Sequence, residues 1–182
     1  MKRYGASRSR EYFQQLARTP GADAKLEPYF GTRPVPEGDP SAASSSADEL
    51  LAEIKSQGPR AVVDRLVWNE SQFDAIGIQI ETGAADWLQI ALLLKPVSDA
   101  HASEGLDLCV ARALPRAPSR VLRLVGHGFS LDHVCTSPFI EPEPGVVEEY
   151  ERRALRALAG FKGSTLEKVA AECSDRVRLP TK

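Results

Sequence analysis

The sequence predicts an all-α protein: a compact bundle of about seven to eight short helices in antiparallel hairpins, preceded by an extended N-terminal arm. Three observations predict it. Apolar residues recur at three- and four-residue spacing through most of the chain after Ser45. Proline and glycine interrupt that pattern every nine to fourteen residues, the length of an ordinary helix. Strand-like alternation is confined to Val121–Val125 and Phe139-Ile140, and the first of these is flanked by helix punctuation.

Residues 1–45 form the arm. A short helical pattern at about 9–18 places Tyr12, Phe13 and Leu16 on one face. Pro20, Pro28, Pro34, Pro36 and Pro40 follow, then a Ser/Ala run at 41–46. Prolines remove backbone donors and fix φ, and Ser/Ala stretches have little to bury, so this segment reads as a linker rather than core. Tyr29 and Phe30 remain available as surface anchors.

The helical domain covers 46–182 and opens at Ser46-Ala47-Asp48-Glu49, a capping box in which hydroxyl and carboxylate satisfy orphan N–H groups reciprocally. Leu50, Leu51 and Ile54 supply the first apolar stripe, and Gly58 stops it. Pro59 suits the first turn of a second helix bearing Ala61, Val62, Val63, Leu66 and Val67. Asn69 caps a third, with Phe73, Ile76 and Ile80, ended by Gly83. The fourth, about 85–94, is nearly all apolar and is expected at the centre, closed by Pro96. Ser98 or Ser103 is the expected cap of a fifth, with Leu106, Cys109, Val110, Ala113 and Leu114. A sixth carries Val121, Leu122, Leu124 and Val125, interrupted by Gly126-His127-Gly128, and a short helical turn is expected at 130–135. Two helices close the chain, at about 146–159 and 165–176. The second follows another capping box, Ser164-Thr165-Leu166-Glu167. The segments at 59–66 and 118–124 echo one another. Stacked helix pairs of the HEAT kind would give such an echo, and two amphipathic helices with similar needs give it more simply.

Composition narrows the function classes. The chain has 182 residues and a formal net charge of −2. The arm holds seven Lys/Arg against five Asp/Glu, and the rest sixteen against twenty. That balance is not the footprint of a nucleic-acid binder. The longest apolar run, 87–94, contains Gln89 and stops at Lys95, short of the ~20 residues of a membrane span. Met1-Lys2-Arg3 is followed by no apolar leader region, so a cytoplasmic location is expected as written, and a periplasmic one if a leader has been removed.

Cys109 lies between Leu108 and Val110 and reads as a small buried hydrophobe. Cys135 and Cys173 lie near a loop and a helix end. An oxidising compartment permits one disulfide between them beside a buried free thiol; a reducing one leaves three thiols.

The densest cluster of chemically competent side chains is His127, Asp132, His133 and Cys135. With Cys173 it could supply metal ligands, but the spacing matches no zinc signature. Alternatively Cys135 would be a nucleophile with a histidine base, though neighbours two apart on a helix face apart. The run Gly126-His127-Gly128-Phe129-Ser130 is similar to hydrolase oxyanion loops, which need a sheet context not predicted here. A helix end with exposed histidines and a structural cysteine is the plainer reading. Glu148 and Glu149 suit a helix N-terminus, and Arg152, Arg153 and Arg156 suit pairing on its face. The proline-stiffened loop with Phe139, Ile140, Glu141 and Glu143 is the candidate protein-contact site. Trp68 and Trp87, at helix boundaries, are expected to cap the core.

The run Gly83-x-x-x-Trp87-Leu88-x-Ile90-Ala91, then Asp99-Ala100, Leu106-Asp107-Leu108, Ala113-Leu114-Pro115 and Val121-Leu122, resembles a group of small, often exported helical proteins of proteobacteria. The resemblance spans about 46–179 and implies a Cys135–Cys173 disulfide. In layout alone the chain is also similar to helical immunity proteins that neutralise interbacterial toxins.

The expected function is therefore a non-enzymatic protein-binding domain, an immunity or inhibitor protein, with another protein as partner and no cofactor. One alternative is a hydrolase or metal-binding enzyme using His127, His133 and Cys135. The other is a structural subunit of a cell-envelope assembly, with the arm as tether.

Overall fold

The structure, a computed structural model, describes residues 46–140 and 142–178. The predicted arm with its short helix, and Glu141, lie outside the described residues. Within them the chain forms nine helices, eight of them seven residues or longer, and no strand. Of the two strand-like segments, Val121–Leu124 lies in a helix that begins at Pro118, Phe139-Ile140 lies in a loop, and only an isolated bridge joins Val125 to Phe129.

Helix α1 (Ala47–Gln57) starts at the predicted capping box, with Glu49 N donating to Ser46 Oγ and Ser46 N donating to the Glu49 carboxylate. Leu50 and Ile54 face the core. Gly58, at φ +86°, donates its N–H to the Ile54 carbonyl and turns the chain directly into α2 (Pro59–Val67). The two helices fold back on each other, as the two-pronged contact of Arg65 with Glu53 records. Asn69 caps α3 (Glu70–Glu81) through its side-chain oxygen.

Helix α4 (Ala85–Leu94) touches α1, α2, α3, α5 (Ala100–Ala113) and α6 (Pro118–Leu124) and buries Leu88, Ile90, Ala91 and Leu94. It is the central helix that its composition predicts. Pro96 does not end it abruptly; a 3-10 turn, Lys95–Val97, tightens its last carbonyls first. The echoing helices α2 and α6 (Pro118–Leu124) both start with proline and both seat on α4, and that shared task accounts for their similarity.

Helix α5 (Ala100–Ala113) is capped by Asp99, whose carboxylate accepts from Ala102 N, and not by Ser98 or Ser103. Ser98 is occupied with the Leu94 carbonyl, and Ser103 receives the Lys95 ammonium. Two glycines let α3 and α5 approach closely. A Cβ at Gly77 would stand 2.9 Å from the Cys109 sulfur, and one at Gly105 would stand 3.0 Å from the Phe73 ring. Bulk at either position would push the pair apart.

A single helical turn, α7 (Leu131–Val134), is capped by Ser130. Helices α8 (Val146–Leu158) and α9 (Glu167–Val177) pack on each other and close the bundle. Helix α9 begins two residues later than its capping-box sequence predicts. Ser164 and Glu167 are used instead within the preceding turn, accepting from Leu166 N and Gly163 N. No helix among the described residues is long and apolar enough to cross a membrane.

Trp68 corrects one expectation. It is 91% exposed, not a cap on the core. Val62, Val63 and Leu66 point inward, and a residue two beyond Leu66 lies about 200° further round a helix of 3.6 residues per turn. Because Trp68 keeps helical dihedrals, the indole is carried outward. Trp87 is partly buried against the core as expected.

Candidate functional site

The predicted contact loop leaves α7 and crosses the ends of α3, α5 and α8. Its first residues are fastened from α5. Arg112 donates to the Pro138 carbonyl at 3.1 Å and to Glu81 Oε1 at 2.8 Å, while Arg116 donates to the Glu81 carbonyl at 3.0 Å. Phe139 turns inward, lying edge-on to Tyr150 at 5.5 Å and under the Arg112 guanidinium at 5.7 Å. Tyr150 has no exposed surface and donates its hydroxyl to the Ala111 carbonyl, and burial pushes its phenol up. The next residue, Ile140, points out and is 56% exposed. Glu143 is half-buried, and its carbonyl accepts from Val146 N at the start of α8. Of the four predicted contact residues, Phe139 is thus an anchor and Ile140 the presented side chain, with Glu143 at the helix entry and Glu141 outside the described residues.

Helix α8 shows the expected charge pairing for two of its three arginines. Arg152 and Arg153 both converge on Glu149. Burial raises the Glu149 carboxyl, but the hydrogen bonds from the two guanidiniums outweigh it and hold the group below its ordinary value.

The His127, His133 and Cys135 cluster is not assembled. Cys135 is bonded to Cys173, with Cα atoms 5.1 Å apart, which ties α7 to α9 and leaves no thiolate for a metal or a substrate. His127 is exposed in the glycine turn after α6. His133 turns to Asp107, Nδ1 to Oδ2 at 2.9 Å. Asp132 pairs across the same seam with Arg176 at 2.7 Å, and that hydrogen bond holds its carboxyl below the usual range. Among the described residues no group of three or more His, Cys, Asp or Glu is placed to hold a metal ion.

The polar centre that the sequence reading missed is Asp107. It is 8% exposed, the one charged residue in the described core, and its Oδ2 lies 2.7 Å from Lys95 Nζ and 2.9 Å from His133 Nδ1. Lys95 also donates to the carbonyl and hydroxyl of Ser103 and lies 5.5 Å over the Phe129 ring. A signal was available: Lys95 ends an apolar helix, and Asp107 interrupts Leu106-x-Leu108. Two lone charges in neighbouring apolar stripes need each other. The network joins α4, α5 and α7 and so fixes the turn from which the contact loop departs.

Cys109 is the small hydrophobe its neighbours suggest. Although the residue as a whole is partly exposed, its sulfur lies against Gly77, and burial, with a further push from Glu81, raises the thiol to about 12. The thiolate fraction at neutral pH is then negligible. Iodoacetamide is expected to label none of the three cysteines in the native, unreduced chain, and all three after reduction and unfolding. Rapid native labelling of Cys109, read by peptide mass, would contradict the packing.

No protein-family model, curated protein or solved structure matches the chain.

Proposed function

We propose that the chain is a protein-binding domain that docks on another protein through the loop at 139–143. The observation that carries the reading is the alternation at its tip: Phe139 locked inward by Arg112 and Tyr150, Ile140 held outward beside it. A loop already fixed loses little conformational entropy on binding, so an exposed apolar side chain on it is an efficient contact. The acidic residues Glu143 and Glu148 near the loop favour a partner with a basic surface. Within that class we favour an inhibitor of the immunity kind, on the strength of the helical layout and the acid-rich domain.

Ile140→Asp tests this. The variant is expected to keep the wild-type circular dichroism and to bind its partner about 10- to 30-fold more weakly, the effect of losing a central apolar contact. The measurement is stoichiometric retention of one protein from native extract, compared with Leu93→Gln at another exposed apolar position. Retention lost with Ile140→Asp and kept with Leu93→Gln supports the reading. Retention indifferent to Ile140→Asp, or no stoichiometric protein with the wild type, contradicts it.

A further inference from the structure

Trp68 is the most exposed large apolar side chain of the described residues, and the position of its helix says what lies beside it. Helices α1 and α2 are joined by Gly58 alone and fold back, with Glu53 meeting Arg65. The end of α2 therefore stands beside the beginning of α1. Ser46, the residue to which the upstream 45 are joined, caps α1 at that same end. Two exposed acids stand on the neighbouring first turns, Asp48 of α1 and Glu70 of α3, while Asp64, one turn before Trp68, pairs with Arg60, and Arg65 with Glu53.

Residues 8–18 complement this surface in both respects. They carry Tyr12, Phe13 and Leu16 at helical spacing, and Arg8, Arg10 and Arg18 against the single acid Glu11. We propose that Trp68 is the docking point for this segment of the chain's own arm. Tyr12, Phe13 and Leu16 cover the indole, and the arginines face Asp48 and Glu70. The 27 residues at 19–45 have ample reach, since a flexible chain of that length spans about 30 Å on average. Tethering supplies an effective concentration on the order of millimolar, so a contact too weak to hold a separate peptide still forms. A second copy lacks that advantage, and the segment's basic charge suits the acidic rim better than another copy of the same acidic surface would. The inference does not depend on the docking role of Ile140.

The test uses the full chain. Trypsin is expected to cut after Arg8, Arg10 and Arg18 slowly in the wild type, and about threefold or more faster in Trp68→Ala, where the docked population is lost. Because Trp68 contributes little to the core, that variant keeps its fold. A second readout makes Trp68 the sole tryptophan through Trp87→Phe: acrylamide quenching is expected to rise when Phe13→Ser and Leu16→Ser are added. Equal cleavage rates in the wild type and Trp68→Ala would overturn the proposal. So would an indole that is fully quenchable in the intact chain, or shielding that disappears on dilution, which would mark a second copy as the occupant.

Discussion

Replacing Asp107 with alanine is expected to destabilise the domain by about 3 kcal/mol, the lower end of what breaking a buried ion pair costs. The Lys95 and Asp107 side chains are both about nine-tenths buried, so removing the carboxylate leaves an ammonium with little access to water. Lys95 retains Ser103 and the Phe129 ring, which is why the effect sits at the lower end. The pair is not itself a large source of stability. Asp107 Oδ1 is buried without a hydrogen-bond partner in the structure, so the network is only half satisfied. The double variant Lys95→Met, Asp107→Leu is therefore expected to recover most of the loss, because two apolar side chains have no charge to desolvate. Guanidinium unfolding of the two single variants and the double closes the cycle. A loss under about 1 kcal/mol for Asp107→Ala would mean that the pair is hydrated as a surface pair is, and its role in fixing α7 would go with it.

The same pair marks where sequence reading stopped. What could be read were features whose cause is local. The Ser46–Glu49 box, the Gly58-Pro59 junction, the Asn69 cap and the apolar continuity of α4 each depend on residues within one or two turns. The start of α5 was harder because Ser98, Asp99 and Ser103 all offer a capping oxygen. The choice depends on where the 3-10 turn after Leu94 runs out. Trp68 failed for a related reason: its direction depends on whether the last turn of α2 stays helical, which hydropathy does not encode. In the contact loop, the inward turn of Phe139 is imposed by Arg112 and Tyr150, from two other helices. Lys95, Asp107 and His133 likewise meet only because α4, α5 and α7 do.

Opening the Cys135–Cys173 disulfide is expected to lower stability by about 4 kcal/mol at most, the chain-entropy value for cysteines 38 residues apart. The loss should not be uniform. Helix α9 buries only Ala170, Cys173 and Val177, small side chains whose burial contributes little, and one ion pair, Arg176 with Asp132, supplements them at the α7 seam. Helices α3 and α5, pressed together around Gly77 and Gly105, have no such dependence. In Cys135→Ala, Cys173→Ala, or in the wild type under reductant, amide exchange is expected to rise first in α9 and last in α3 and α5. Three titratable thiols in the unreduced, unfolded chain would remove the bond from the account. An unchanged denaturation midpoint under reductant would show that α9 holds by packing alone. If α9 does loosen, the anchoring of α7 loosens with it, because the cross-link and the Asp132 pair both join these two helices. The contact loop would then lose part of the rigidity that makes Ile140 an efficient contact. Under the proposed docking role, partner affinity is therefore expected to fall with reduction even though no residue of the loop has changed.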